Sequence, residues 1–120
     1  MAAQALRAKP SAMGEAREYV RTHLSQILSA PKLADVELMT SELVSNAVQH
    51  APPEGKIGLE IDVGPNAVRV SVTDSGAGFE PAARERVGDI GGWGLVIVDR
   101  FSDRWGVQHP PHRVWFEIDR

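Results

Sequence analysis

The fold of this chain is decided by the stretch "SELVSNAVQHA", Ser41 to Ala51. It places a carboxylate, an amide and an imidazole, those of Glu42, Asn46 and His50, at intervals of four residues. In a helix each such interval turns the side chain by only about 40°, so the three groups form one slanted row. The row borders an apolar stripe made of Val36, Met39, Leu43 and Ala47. We predict a helix from about residue 33 to 50, with this polar row at the edge of its buried face.

Groups in such a row have two interpretations. A carboxylate beside a cleft can act as a general base, and an amide oxygen is a hard ligand suited to Mg²⁺. In the second, plainer interpretation, Glu42 and Asn46 are ordinary polar residues at the boundary of the buried face, where they solvate the rim of the helix.

Patterns on either side of this helix predict the rest of the fold. Helical spacing predicts a first helix over about 12–28, separated from the second by "SAPK", because proline interrupts a helical ladder. Alternation at 57–63 and 68–72, around "GPN", predicts a β-hairpin. A third helix over 93–104 and strands near 105–108 and 113–118 complete an α+β fold. We expect a two-layer sandwich with three helices on one face of a mostly antiparallel sheet.

Composition limits the classes of function. The chain has 120 residues, so one domain over 1–120 is expected. Its net charge of -3 gives no reason to expect nucleic acid or a membrane surface as a partner. The absence of cysteine excludes disulfides and thiolate metal sites. There is no signal-peptide-like start and no run of roughly 20 apolar residues, so a soluble cytoplasmic protein is expected.

A glycine-rich stretch follows the predicted hairpin. In "VSVTDSGAGF" an apolar strand ends at Asp74, and Gly76 and Gly78 come at two-residue spacing. A carboxylate at a strand end can accept a hydrogen bond from the exocyclic amine of adenine, and glycine lets the backbone approach a flat ring. An ordinary Asp-Ser-Gly turn would explain the same letters.

A second glycine-rich stretch opens the third helix. In "GDIGGWGL", Gly92 and Gly94 lead into helical spacing, where free N–H groups at a positive helix end can cradle phosphate. A loop that merely feeds a helix is the plainer interpretation. No Gly-Lys-Ser/Thr follows, so this is not a Walker A loop.

The order of these pieces carries more information than any one of them. A helix with E-x-x-x-N, a strand with D-x-G-x-G and a G-x-G-L helix start resemble the Bergerat-fold (GHKL) ATPase superfamily. The closer resemblance is to the anti-sigma factor serine/threonine kinases, especially the short actinobacterial ATP-binding regulators. It covers nearly the whole chain, including "AREYVRTHL", "SELVSNAVQHA" and "GGWGLVIVDRFSDRWGV".

The resemblance implies a role for each matching residue. Glu42 would be the general base that activates a seryl hydroxyl, and Asn46 would ligate the Mg²⁺ that bridges the ATP phosphates. Asp74 would hold the adenine amine, with Gly76 and Gly78 shaping the pocket.

The remaining implied contacts lie near the third helix. Gly92 and Gly94 would present backbone to the phosphates, Leu95 would pack beneath them, and residues about 77–92 would form a lid. One position departs from the family, because Arg113 stands where a threonine near the adenine is expected.

Three functional hypotheses remain at this level. The first is a kinase that sequesters a sigma factor and phosphorylates an anti-sigma factor antagonist on serine. The second is a non-catalytic module whose partner binding depends on bound nucleotide, an idea that Arg113 and a short lid favour. The third is an unrelated α+β domain with fortuitous glycines. Self-association as a homodimer is expected from the family alone.

Overall fold

A single antiparallel sheet forms one layer of the structure. The computed structural model describes residues 2–52, 54–74, 93–108 and 112–120. Its strands are β1 (Ala2–Arg7), β2 (Lys56–Val63), β3 (Ala67–Asp74), β4 (Arg104–Gln108) and β5 (His112–Asp119). They lie in the order β1-β2-β3-β5-β4, and each neighbouring pair is antiparallel.

Helices cover one face of this sheet. Within the described ranges they are α1 (Ala12–Leu24), α2 (Ala30–His50) and α3 (Trp93–Phe101). The strands alternate accordingly, and the fully buried side chains that face the helices include Leu59, Val70 and Phe116. This arrangement confirms the predicted two-layer α+β sandwich. No helix in the described part of the chain is long and apolar enough to cross a membrane.

The first strand is the element that the sequence did not predict. Its residues, "AAQALR", lack the alternation typical of a strand, and only Leu6 is buried. The strand forms at the edge of the sheet because its backbone pairs with β2, where Leu6 lies opposite Ile57. Tertiary pairing here overrides the helical preference of alanine.

The junction of α1 and α2 also differs from the predicted boundaries. Helix α1 ends at Leu24 instead of continuing to 28, and α2 begins at Ala30 instead of 33. Pro31 occupies the first turn of α2, where a missing N–H costs nothing, and the Ser29 hydroxyl accepts a hydrogen bond from the Lys32 amide. Proline therefore starts the second helix here as well as separating it from the first.

The direction of α2 and α3 determines which residues meet. The Lys32 ammonium near the start of α2 donates to the Asp119 carbonyl at 2.7 Å, and the Asp103 amide just after α3 donates to the Glu117 carbonyl at 2.9 Å. The start of α2 and the end of α3 thus lie at one end of the sheet. The two helices contact each other, and they run in opposite directions because α2 starts where α3 ends. The end of α2 and the start of α3 therefore lie at the other end of the sheet, where β3 finishes at Asp74.

Candidate functional site

Asp74 is the ionisable residue around which the site is built. It ends β3 with only 3% of its surface exposed, on the side of the sheet that carries Val70 and Val72. Among the buried residues of the described ranges, Asp74 alone carries an ionisable side chain. A charge held in an apolar layer is costly unless polar groups satisfy it, so such a position is typical of a binding residue.

The polar row of α2 lies where the sequence predicts it. Glu42, Asn46 and His50 are each half-buried, beside the buried residues Leu43 and Ala47. The side chains of Glu42 and Asn46 make no hydrogen bond or ion pair with another residue that the structure describes. Their position at the edge of the core is confirmed, whereas their chemical roles stay predictions.

Helix α3 contributes its N-terminus to the same end of the molecule. It begins at Trp93, so the amides of its first turn have no partner within the helix. Leu95 is partly buried and packs against the core, and its place beneath the phosphates stays a prediction. Gly94 lies in the first turn. Gly76, Gly78, Gly92 and the whole of the predicted lid at 77–92 lie outside the described residues.

Arg113 does not lie at this site. Its register partner is Thr73, and both side chains lie on the face of the sheet without helices. There the Arg113 Nε donates to the Thr73 hydroxyl at 3.0 Å, and a terminal nitrogen contacts the Glu60 carboxylate at 3.2 Å. Arg113 therefore does not face Asp74, because strand alternation turns its side chain to the other face of the sheet.

His112 is the residue that sequence reasoning missed. It lies directly opposite Asp74 in the β3–β5 pair, and its Nδ1 atom is buried. The signal was present, because alternation counted back from Val114, Phe116 and Ile118 places position 112 on the same face as those core residues. The β5 residue that lies opposite Asp74 on this face is thus His112.

Several carboxylates elsewhere in the described part of the chain hold the framework together. On the helix-free face, hydrogen bonds from Arg104 and then Arg69 lower the pKa of Glu117 below its ordinary value. Arg104 also donates a hydrogen bond to Asp119, and the carboxylates of Asp119 and Glu117 raise the pKa of Arg104. Glu37 is likewise paired, with Arg21 at 2.7 Å. These paired carboxylates contrast with Glu42.

The described residues do not form a complete metal site of their own, and the cavities along β1 are separate from the α2 row. The described residues contain no group of three or more His, Cys, Asp and Glu side chains placed to bind a metal ion. Asn46 alone would suit a metal that arrives with its other ligands, as Mg²⁺ does on a nucleotide phosphate. Cavities of about 510 and 440 Å³ lie along β1, share Arg7 and Lys9, and contact none of the α2 row.

Comparison with known proteins agrees with this geometry. A family model described as "Histidine kinase-like ATPase domain" matches residues 6–116. The chain belongs to this family. The match confirms the superfamily that the order of motifs predicts.

Two relatives show what the histidine kinase-like ATPase domain is similar to. Sensor protein IrlS of Burkholderia pseudomallei is 43% identical over 47 residues, which are 39% of this chain and 10% of that protein. The chain thus matches only about a tenth of the length of that curated relative. The structure of the mycobacterial sensor histidine kinase MprB has a TM-score of 0.57 at 18% identity, over 97% of both chains. At this identity the likeness shows the fold alone.

Proposed function

We propose that this histidine kinase-like ATPase domain binds Mg-ATP and is a protein serine kinase of the anti-sigma class. The observation that carries the proposal is the buried Asp74 at the end of the sheet where the α2 row and the α3 N-terminus meet. The Asp74 carboxylate would bind the adenine, the α2 row would supply a metal ligand beside a general base, and the N-terminus of α3 would supply positive charge for the phosphates. Together they match the adenine, the metal and the phosphates of a nucleoside triphosphate.

The adenine end of the site is Asp74. Its carboxylate can accept a hydrogen bond from the exocyclic amine, and its burial strengthens that bond by excluding water. Ile57 lies opposite Asp74 on β2 and is fully buried, so the carboxylate lies beside an apolar neighbour. The residues present therefore fit an adenine.

The phosphate end is formed by Asn46 and the start of α3. The Asn46 amide oxygen would hold Mg²⁺, and the free amides of α3 would bind phosphate oxygens at the positive end of the helix dipole. When bound, ATP would supply the phosphoryl group, and the Mg²⁺ that it carries would offset much of the phosphate charge.

Glu42 is positioned to act as the base. It lies one helical turn before Asn46, which places their Cβ atoms roughly 6 Å apart. In the proposed reaction Glu42 takes the proton of a seryl hydroxyl while the new O–P bond forms and the bond to the ADP oxygen breaks. Because Glu42 is half-buried and not paired with a described cation, this carboxylate is suited to accept a proton.

The proposed partners follow from the resemblance of "SELVSNAVQHA" and of the tail. They are a sigma factor, which the protein would sequester, and an antagonist protein, which it would phosphorylate, and the working unit would be a cytoplasmic homodimer. The second candidate is a non-catalytic ATP-binding module. Its support from Arg113 is lost, because that side chain lies on the opposite face.

Calorimetric titration of ATP and ADP with and without Mg²⁺ tests the nucleotide site, on wild type and Asn46→Ala. We expect Mg²⁺-dependent binding to wild type and loss of that dependence in the variant. No binding to wild type would overturn the whole proposal.

Transfer of γ-labelled phosphate to antagonist proteins from the same genome tests the kinase. We expect a label that survives acid, as phosphoserine does. An acid-labile label would indicate histidine phosphorylation instead, and ATP binding without any label would favour the non-catalytic module.

A further inference from the structure

We propose that His112 is a second base-recognition residue, which donates a hydrogen bond to the ring nitrogen N1 of the adenine that Asp74 holds. The inference rests on the proposed ATP site and names a residue that determines its base specificity. It begins from the β3–β5 register, in which Asp74 and His112 are directly opposed.

The register places both side chains on one face at short range. Directly opposed residues of an antiparallel pair project to the same side, with Cβ atoms roughly 4.5–5.5 Å apart. The face is the helix-covered one, because Val72 and Val114 on the same side of these strands are buried. The half-buried His112, with its buried Nδ1, therefore points into the layer that contains the Asp74 carboxylate.

The chemistry of the pair matches one edge of adenine. On that edge the exocyclic amine is a donor and the adjacent N1 is an acceptor. A carboxylate oxygen of Asp74 can accept from the amine, whereas an imidazole N–H can donate to N1, so the two side chains offer the complementary pattern. Hypoxanthine and guanine carry an oxygen in place of the amine and an N1–H in place of the bare N1. Asp74 would then face another acceptor, and the imidazole N–H of His112 would face another donor. A site built in this way rejects the wrong base more strongly than an apolar pocket does.

The neighbouring residue provides an internal contrast. Arg113 is the other polar side chain at the start of β5, yet it lies on the opposite face and is engaged by Thr73 and Glu60. A substitution at 113 should therefore leave the base pocket unchanged although it is adjacent in sequence. Arg113→Ala is the matched control.

The test is a titration of Mg-ATP and of the triphosphate of 1-deazaadenosine, which lacks N1, into four proteins: wild type, His112→Phe, His112→Gln and Arg113→Ala. Phenylalanine keeps a planar ring and the strand preference but removes both nitrogens, and glutamine restores an N–H donor. We expect His112→Phe to weaken ATP binding roughly 3- to 10-fold, the value of one hydrogen bond. Its affinity for the deaza analogue should equal that of wild type, His112→Gln should recover part of the ATP affinity, and Arg113→Ala should match wild type for both ligands.

Each other outcome contradicts the inference. If His112→Phe binds ATP like wild type, or weakens both ligands equally, then no N1 contact exists while the ATP site itself stands. If His112→Phe does not fold, as judged from its thermal transition, the comparison of His112→Gln with wild type on the two ligands decides in the same way. If wild type binds no ATP at all, the proposed function fails, and this inference fails with it.

Discussion

Thr73 and Asp74 are neighbours in β3, yet their side chains lie on opposite faces of the sheet. The Thr73 hydroxyl accepts a hydrogen bond from Arg113 on the helix-free face, whereas Asp74 is buried beneath the helices. The polar residues at this end of the sheet therefore divide into a structural set and a candidate binding set. Sequence proximity does not separate the two sets.

We expect Asp74→Asn to weaken ATP binding roughly 10- to 100-fold, because a buried carboxylate that accepts from the adenine amine makes a charge-assisted hydrogen bond. Calorimetry on the purified variant measures the effect. Asp62→Asn is the matched control, since Asp62 is exposed on the helix-free side of β2 and should leave the affinity unchanged. Equal affinities in the two variants would remove Asp74 from the site.

We expect Glu42→Gln to retain ATP binding while phosphate transfer falls by about 10²- to 10⁴-fold, the usual contribution of a general base. The measurement is the rate of labelling of the antagonist at saturating ATP. Glu37→Gln, on the same helix but paired with Arg21, should transfer at the wild-type rate. Transfer that persists in Glu42→Gln would assign the base elsewhere.

Thr40→Val should stabilise the protein. The Thr40 side chain is 0% exposed, and its hydroxyl has no hydrogen-bond partner among the described residues. Replacing an unsatisfied hydroxyl by a methyl group of similar shape should raise the free energy of unfolding by about 1 kcal/mol. Urea denaturation measures it, with Thr22→Val on the exposed face of α1 as a near-neutral control. Lower stability in Thr40→Val would indicate a hydrogen bond to that hydroxyl.

Gly106→Ala should destabilise the sheet because Trp115 lies against Gly106. A Cβ at this position would meet three atoms of the indole at 2.8, 2.9 and 2.9 Å. Since the Arg69 guanidinium also stacks on the ring, 3.9 Å from its centroid, the indole cannot move away freely. We expect a loss of about 1–3 kcal/mol in urea denaturation.

Two further variants identify the cause. Gly58→Ala on β2 has its nearest contact at 3.5 Å, an ordinary distance, and should cost less. In a Trp115→Leu background the added penalty of Gly106→Ala should largely disappear. A penalty that persists there would contradict the steric explanation.

Glu117 should make stability depend on pH in acid. Its pKa is lowered in the folded protein by Arg104 and then Arg69. Its contribution to stability is therefore present above the pKa of the unfolded chain and is lost as pH falls through the folded pKa. In Glu117→Gln this contribution is absent at every pH. The difference in unfolding free energy between wild type and Glu117→Gln should therefore shrink as the pH falls from about 7 to about 2. A difference that stays constant over this range would show that packing, and not charge, is responsible.

Local periodicity by itself determined most of the fold. Apolar residues at helical spacing identified α1, α2 and α3, and strict alternation identified β2, β3 and β5, because each of these elements buries one face and its pattern records which one. The same reasoning placed Glu42 and Asn46 at the edge of the buried face of α2. The local pattern placed Asp74 at the end of an apolar strand, and the proposed contact of Asp74 with adenine came from the family resemblance.

Tertiary structure alone decided the rest. β1 exists because its backbone pairs with β2 at the sheet edge, and its residues bury too little surface to signal a strand. Whether Arg113 or His112 faces Asp74 depends on strand register, in which a shift of one residue exchanges the two faces of the sheet. The opposed directions of α2 and α3 bring Asn46 and the α3 N-terminus to the end of β3, an arrangement of distant segments that no local pattern records.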